Sequence, residues 1–238
     1  MNPDSGPQPL DPPPLPRALD GPPAGRRVLV VAPHPDDETV GLGGTLALHA
    51  RRGDDVQVVF ATTGVHGDVS KDRTPEEYVA LRQAEARAAA AELGLGELVF
   101  WPFPDSCVVT TQDLEHITDM MCEVYAAFGP DLVYAPHVAE SHSDHHFVAR
   151  AVVAAHRTAG QGARLLGYEV WTTMAPDLLV DVTPVYEQKR RAIACYASQL
   201  EHSDILGATE GMNRYRAVML PDAGKEGTRR AEAFLELA

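Results

Sequence analysis

The chain is poor in cysteine, in cationic side chains and in long apolar runs, and each shortage removes a class of explanation. Its 238 residues hold three cysteines, Cys107, Cys122 and Cys195. They are odd in number and far apart, whereas disulfide frameworks and cysteine-rich zinc knuckles need paired or closely spaced thiols. A reducing, cytoplasmic setting is therefore expected. Lys and Arg total 20 against 34 Asp and Glu, a formal charge of -14. That balance repels phosphate backbones and anionic lipid, and argues against nucleic acid and membrane surfaces as partners. No apolar run approaches the roughly 20 residues that cross a bilayer, so no membrane insertion is expected. The first residues, "MNPDSGPQPLDPPPLPRALDGPPAG", are dense in proline and lack the apolar core of a secretory signal. Residues 1–25 are expected to form a disordered or polyproline arm. Residues 26–238 are then expected to form a single domain, and a hydrophobic content of 45% suffices for a substantial core.

A glycine-rich turn between the first strand and helix, the mark of a dinucleotide site, is also missing. What stands there is "VLVVAPHPDDETVGLGGT", residues 28–45. The β-branched run 28–32 predicts a buried strand, and 39–52 a helix. The turn between them carries one imidazole and three adjacent acids, His34, Asp36, Asp37 and Glu38. Acids in a first helical turn complement the helix dipole. Three side by side nevertheless repel unless a positive group sits among them.

Strand and helix patterns alternate onward. Strands are expected at 56–61, 98–101, 131–135, 164–171 and 178–182. Helices are expected at 74–94, 111–128, 144–159 and 184–200, with a short last helix in the tail "GTRRAEAFLEL". Such alternation predicts an α/β fold, Rossmann-like, with a mainly parallel sheet covered by helices on both faces. Ligands in such folds bind beyond the carboxyl ends of the strands.

A second dense segment, "HVAESHSDHH" at 137–146, also follows a strand. It holds four of the ten histidines, with Glu140 and Asp144. Singly, each of these residues reads as an ordinary surface or capping group. Jointly, the two loops suit a divalent metal. Catalytic zinc takes three protein ligands and leaves a position open, and His34, Asp37 and His145 supply three. Carboxylates are left over, and a hydrolytic site needs one free beside the attacking water. Asp36 meets that need.

"PHPDDE" after a first strand and "HSDH" after a later one resemble the motifs of the LmbE-like (PIG-L) family of zinc-dependent N-acetylglucosaminyl de-N-acetylases. The second motif departs at Ser143, where the family usually has proline. "LRQAEARAAAAELG", "PFPDS" and "KRRAIACYASQ" are similar to further family segments, though Tyr196 stands where a histidine is often found. The resemblance implies zinc held by His34, Asp37 and His145, with another divalent metal such as Fe2+ as the alternative. It implies Asp36 as general base and His142 as the group that stabilises the oxyanion. Asp144 would hold His142 oriented and protonated, and pairing with a carboxylate makes a histidine more basic. Glu38 would support the metal loop. Arg82 and Asp105 match positions near the substrate; the competing role for Arg82 is an i, i+3 pair with Glu85 on a helix surface. The implied reaction releases acetate and a free amine from an N-acetylated amino sugar. An amidase of a mycothiol-type thiol conjugate, a two-metal phosphoesterase and a catalytically inactive binding protein are the alternatives. The oligomeric state is open, and an oligomer is compatible with the sequence.

Overall fold

The computed structural model describes residues 15–108, 110–160, 162–221 and 229–237. In chain order the elements are β1 (Arg17–Leu19), β2 (Arg27–Ala32), α1 (Asp37–Arg52), β3 (Asp55–Phe60), α2 (Pro75–Leu93), β4 (Glu97–Phe100), α3 (Thr111–Phe128), β5 (Leu132–Pro136), α4 (Ser143–Ala159), β6 (Arg164–Tyr168), β7 (Leu178–Asp181), α5 (Tyr186–Ala194), α6 (Ala197–Leu200), α7 (Ile205–Ala217) and β8 (Ala231–Glu236). The strands form one sheet in the order β1-β7-β8-β6-β5-β2-β3-β4. Only β8 runs against its neighbours, pairing antiparallel with β6 and β7. The α/β expectation therefore stands.

Successive residues of β2 feed opposite faces, as a pleated strand requires. Val28, Val30 and Ala32 pack with Leu42, Leu46, Ala86 and Ile193 on the side of α1, α2 and α5. Leu29 and Val31 pack with Ile117, Met121, Val148 and Val152 on the side of α3 and α4. Burial on both faces explains the unbroken apolar run. After β2 the chain adds β3 and β4 on one flank and then crosses back to place β5 on the other. The loops that follow β2 and β5 thus meet at the switch point of the sheet, where ligands bind in such folds.

Helix starts follow the sequence closely. Thr74 caps α2 in a reciprocal capping box with Glu77, which satisfies two free backbone N–H groups. The "GLGG" within α1 serves close packing. A Cβ at Gly41 would lie 2.4 Å from Tyr168 Cδ2, and one at Gly44 would lie 2.6 Å from Val182 Cβ.

Four expectations need correction. The tail is the strand β8, not a helix; of 227–237, residues 227 and 228 lie outside the described residues. Its Ala, Glu and Leu favour a helix, but the slot between β6 and β7 overrides that preference. The strand predicted at 164–171 stops at Tyr168, because the next backbone N–H groups go to side chains. The helix predicted over 184–200 breaks into α5 and α6 where Tyr196 turns inward. Within the arm predicted over 1–25, Arg17–Leu19 is instead a strand paired with β7 at the sheet edge; residues 1–14 lie outside the described residues. The helix α7 was not expected. Gly207, Gly211 and Asn213 depress its helical signal, and the Asp204 side chain that accepts from Gly207 N is the local feature that marks its start.

One buried ion pair locks β8 to the site's supporting helix. Lys189 Nζ of α5 lies 2.7 Å from Glu232 Oε1 and donates to Val40 O at 2.8 Å. Glu232 also accepts from Gly44 N and Thr45 N. Both side chains are fully enclosed. Replacing Lys189 with Met leaves that carboxylate buried without its cation. We expect Lys189→Met to lower unfolding stability by about 3–5 kcal/mol in urea denaturation.

Candidate metal centre

Three donors converge at the switch point. His34 stands two residues beyond Ala32, the last residue of β2, Asp37 opens α1, and His145 lies in the first turn of α4. His34 Nδ1 and His145 Nε2 each lie 3.1 Å from Asp37 Oδ2, and 3.3 Å from each other. In a tetrahedral zinc site with ligand bonds of about 2.0–2.1 Å, neighbouring donors are about 3.3 Å apart. The triad therefore has the spacing and the donor chemistry of a metal site. A second combination, His34, His142 and Asp144, also lies within ligand range. Its carboxylate is already engaged, because Asp144 accepts from Ser106 N and faces His34 Nε2 at 3.0 Å. The first triad fits better.

The electrostatics follow from this crowding. Burial opposes the charged form of His34, but its bonds to Asp144 and Asp37 outweigh that and push it up to about 10. Burial would likewise raise Asp37; His145 and His34 instead hold its carboxyl far below the usual range. Asp36 goes the other way. Burial is its main perturbation, Arg82 counters it, and Asp37 adds repulsion, leaving Asp36 raised to about 7.

The loop around Asp36 is held under strain. Its φ is 137°, a value L-residues rarely adopt. Asp36 N donates to Glu38 Oε2 at 3.1 Å, and Tyr196 Oη donates to Glu38 Oε1 at 2.6 Å. Glu38 thus braces the loop as expected, with Tyr196 as its partner. Arg82 is buried; its guanidinium lies 3.2 Å from Asp36 and donates to Pro35 O. It pairs with Asp36 and not with Glu85, which accepts from Ser198.

Asp105 accepts from Gly64 N at 2.8 Å and His66 N at 2.7 Å. Both its oxygens hold the loop after β3, although the residue also lines the pocket. The expected pairing of Asp144 with His142 is different in the structure. The Asp144 carboxylate goes to His34, and it is the Asp144 backbone N–H that donates to His142 Nδ1, at 3.2 Å. Burial lowers the pKa of His142, and the neighbouring His34 and His145 lower it further. With Nδ1 accepting from Asp144 N, the ring presents Nε2 to the pocket. Sequence reasoning gave Glu140 no role and missed Trp171 altogether. Glu140 accepts three backbone N–H groups of the loop after β6, and Trp171 on that loop lines the pocket. No motif spacing signals either.

The pocket has a volume of about 250 Å³ and is lined by His34, Asp36, Arg82, Asp105, His142 and Trp171, among others. The sequence profile of PIG-L, described as GlcNAc-PI de-N-acetylase, matches residues 29–156, more than half of the chain. The chain belongs to the PIG-L family. Both loops of the candidate metal centre fall inside the matched region. This PIG-L chain is 28% identical over 189 residues to a probable N-acetyl-alpha-D-glucosaminyl L-malate deacetylase 2 of Bacillus cereus, covering 74% of this chain and 84% of that one. It is 30% identical over 186 residues to a 1D-myo-inositol 2-acetamido-2-deoxy-alpha-D-glucopyranoside deacetylase of a Mycobacterium species, covering 67% of this chain and 58% of that one. Among solved structures, a conserved protein from Thermus thermophilus superposes with a TM-score of 0.74 at 29% identity, covering 89% of this chain and 94% of that one. Among the described residues no helix is long and apolar enough to cross a membrane.

Orientation of His34 depends on Asp144. Removing the partner of a metal-binding imidazole typically costs about 10–100-fold in affinity. We expect Asp144→Ala to weaken metal binding by that factor in chelator competition, with the far-UV circular dichroism unchanged.

Proposed function

We propose that this chain is a metal-dependent hydrolase that removes the acetyl group from an N-acetylated amino sugar, an N-acetylglucosamine-type glycoside or conjugate. The observation that carries this reading is a carboxylate left free beside three converged metal donors. A binding site needs no such group; hydrolysis of an amide does. The naming of relatives as deacetylases supports the same reaction, and three free, widely spaced cysteines support a cytoplasmic setting.

His34, Asp37 and His145 are proposed to hold the cation, with zinc as its identity and Fe2+ as the alternative. When bound, the cation supplies a Lewis acid for the acetyl carbonyl and the attacking water. Asp36 takes a proton from that water as its oxygen bonds to the carbonyl carbon. The same proton then passes from Asp36 to the amide nitrogen as the C–N bond breaks, giving acetate and a free amine. His142 donates from Nε2 to the developing oxyanion. Arg82 acts on the reaction through Asp36, favouring its carboxylate form, and Asp105 shapes the pocket through the 64–66 loop. Beyond Trp171 the pocket continues into a cavity walled by Val69, Ile205 and Ala208, which offers room for the group attached to the sugar.

Acetate release from a panel of N-acetylglucosamine conjugates tests the reading; no release from any conjugate by the metal-loaded protein would refute it. Asp36→Ala is expected to keep stoichiometric metal and lose about 10²–10⁴-fold in kcat. A rate near that of the wild type would remove Asp36 as the base. The pH profile supplies a further check. A general base works ionised, so kcat/KM falls on the acid side of the Asp36 pKa. Arg82 lowers that pKa, and its loss raises it. In Arg82→Gln the acid limb of kcat/KM is therefore expected to move to higher pH. A limb that stays in place would show that Asp36 does not set it.

A further inference from the structure

The Glu140 side chain is enclosed between the metal centre and the pocket wall, and its two oxygens have different surroundings. Oε1 accepts from the backbone N–H groups of Val170, Trp171 and Thr172, at 2.8, 3.1 and 3.2 Å. The segment they belong to follows β6, and its Trp171 lines both the pocket and the cavity beyond it. Oε2 has no hydrogen-bond partner although it is buried. It lies 3.9 Å from His145 Nδ1, which is also buried and also without a partner. Two unsatisfied polar atoms facing each other in a buried interior are costly to leave so. Here they are complementary. An imidazole that gives Nε2 to a metal carries its proton on Nδ1, and a buried N–H needs an acceptor.

We propose that Glu140 is a positioning residue that ties the metal ligand His145 to the Trp171 wall of the substrate pocket, one carboxylate oxygen serving each. The inference rests on the reading of His145 as a ligand. Occupation of the metal site fixes the His145 Nδ1–H tautomer and draws Oε2 onto it. Because Oε1 stays bonded to three successive backbone groups, the Trp171 segment follows. Metal loading and the shape of the sugar pocket are in this way one event.

Substitution separates the two oxygens. In Glu140→Gln the amide oxygen can still accept from residues 170–172, but the amide nitrogen cannot accept from His145 Nδ1–H. In Glu140→Ala both links are lost. The chain has two tryptophans, so in a Trp101→Phe background the emission comes from Trp171 alone. Metal affinity is read by competition with a chromophoric zinc chelator, and Trp171 emission is followed during titration of the metal-free protein with zinc. The parent is expected to bind one zinc with a change in Trp171 emission. Glu140→Gln should keep the emission of the metal-free parent, bind zinc about 10–100-fold more weakly and lose most of the zinc-dependent change. Glu140→Ala should also shift the metal-free emission. Parent-like zinc affinity in Glu140→Gln, or zinc binding by the parent without a change in Trp171 emission, overturns the proposal. His145→Ala distinguishes the two levels. If it binds zinc as the parent does, the ligand assignment itself is wrong, whatever Glu140 does.

Discussion

The site is organised around one oxygen atom. Asp37 Oδ2 lies within 3.1 Å of an imidazole nitrogen from each of two loops, and it accepts from His34 N at 2.9 Å as well. Those loops follow β2 and β5, neighbours in the sheet that are a hundred residues apart in the chain. Two like charges about 4 Å apart, in surroundings of effective dielectric near 20, repel by about 4 kcal/mol. Asp36, Asp37 and Glu38 are all buried side by side, so folding this turn requires compensation. Arg82 and His34 provide part of it within the protein, and a divalent cation held by the three donors would provide more. The strained backbone at Asp36, the brace of Tyr196 on Glu38 and the reach of Arg82 under the loop all serve to keep that crowding in place.

How much of this can be read from the sequence depends on whether a partner is local. The strands β2, β3 and β5 are buried on both faces and appear as plain apolar runs. Helix α2 announces itself through Thr74, Pro75 and Glu77. The two acidic and histidine-rich loops stand out because no structural role requires that density of ionisable groups. The tail was misread because its residues favour a helix, and only a vacant slot between two distant strands makes it β8. Tyr196 breaks a helix for the sake of Glu38, a contact across 158 positions with no local trace.

The same limit governs the side-chain roles. The family resemblance implies that Asp144 orients His142, yet the Asp144 carboxylate reaches the other loop and faces His34 Nε2. His142 Nδ1 accepts from a backbone N–H instead of facing a carboxylate, and its pKa is lowered, first by burial and then by His34 and His145. Glu140 could be seen among the histidines, but its use depends on a loop thirty residues later.

The choice of base can be argued by elimination among the six acids around the centre. Five have carboxylates that accept at least one backbone N–H: Asp37 from His34, Glu38 from Asp36, Asp105 from Gly64 and His66, Glu140 from the Trp171 segment, and Asp144 from Ser106. Such bonds favour the ionised form and fix the carboxylate in place, which suits a ligand or a brace. Asp36 accepts none among the described residues, and its carboxylate is held by Arg82 alone. Burial, eased by that guanidinium, brings it up to about 7, in the range where a carboxylate both takes and returns a proton at neutral pH. A proton shuttle must not be stabilised strongly in either state. The backbone bonds withheld from Asp36 and given to its five neighbours are what separate the proposed base from the scaffold.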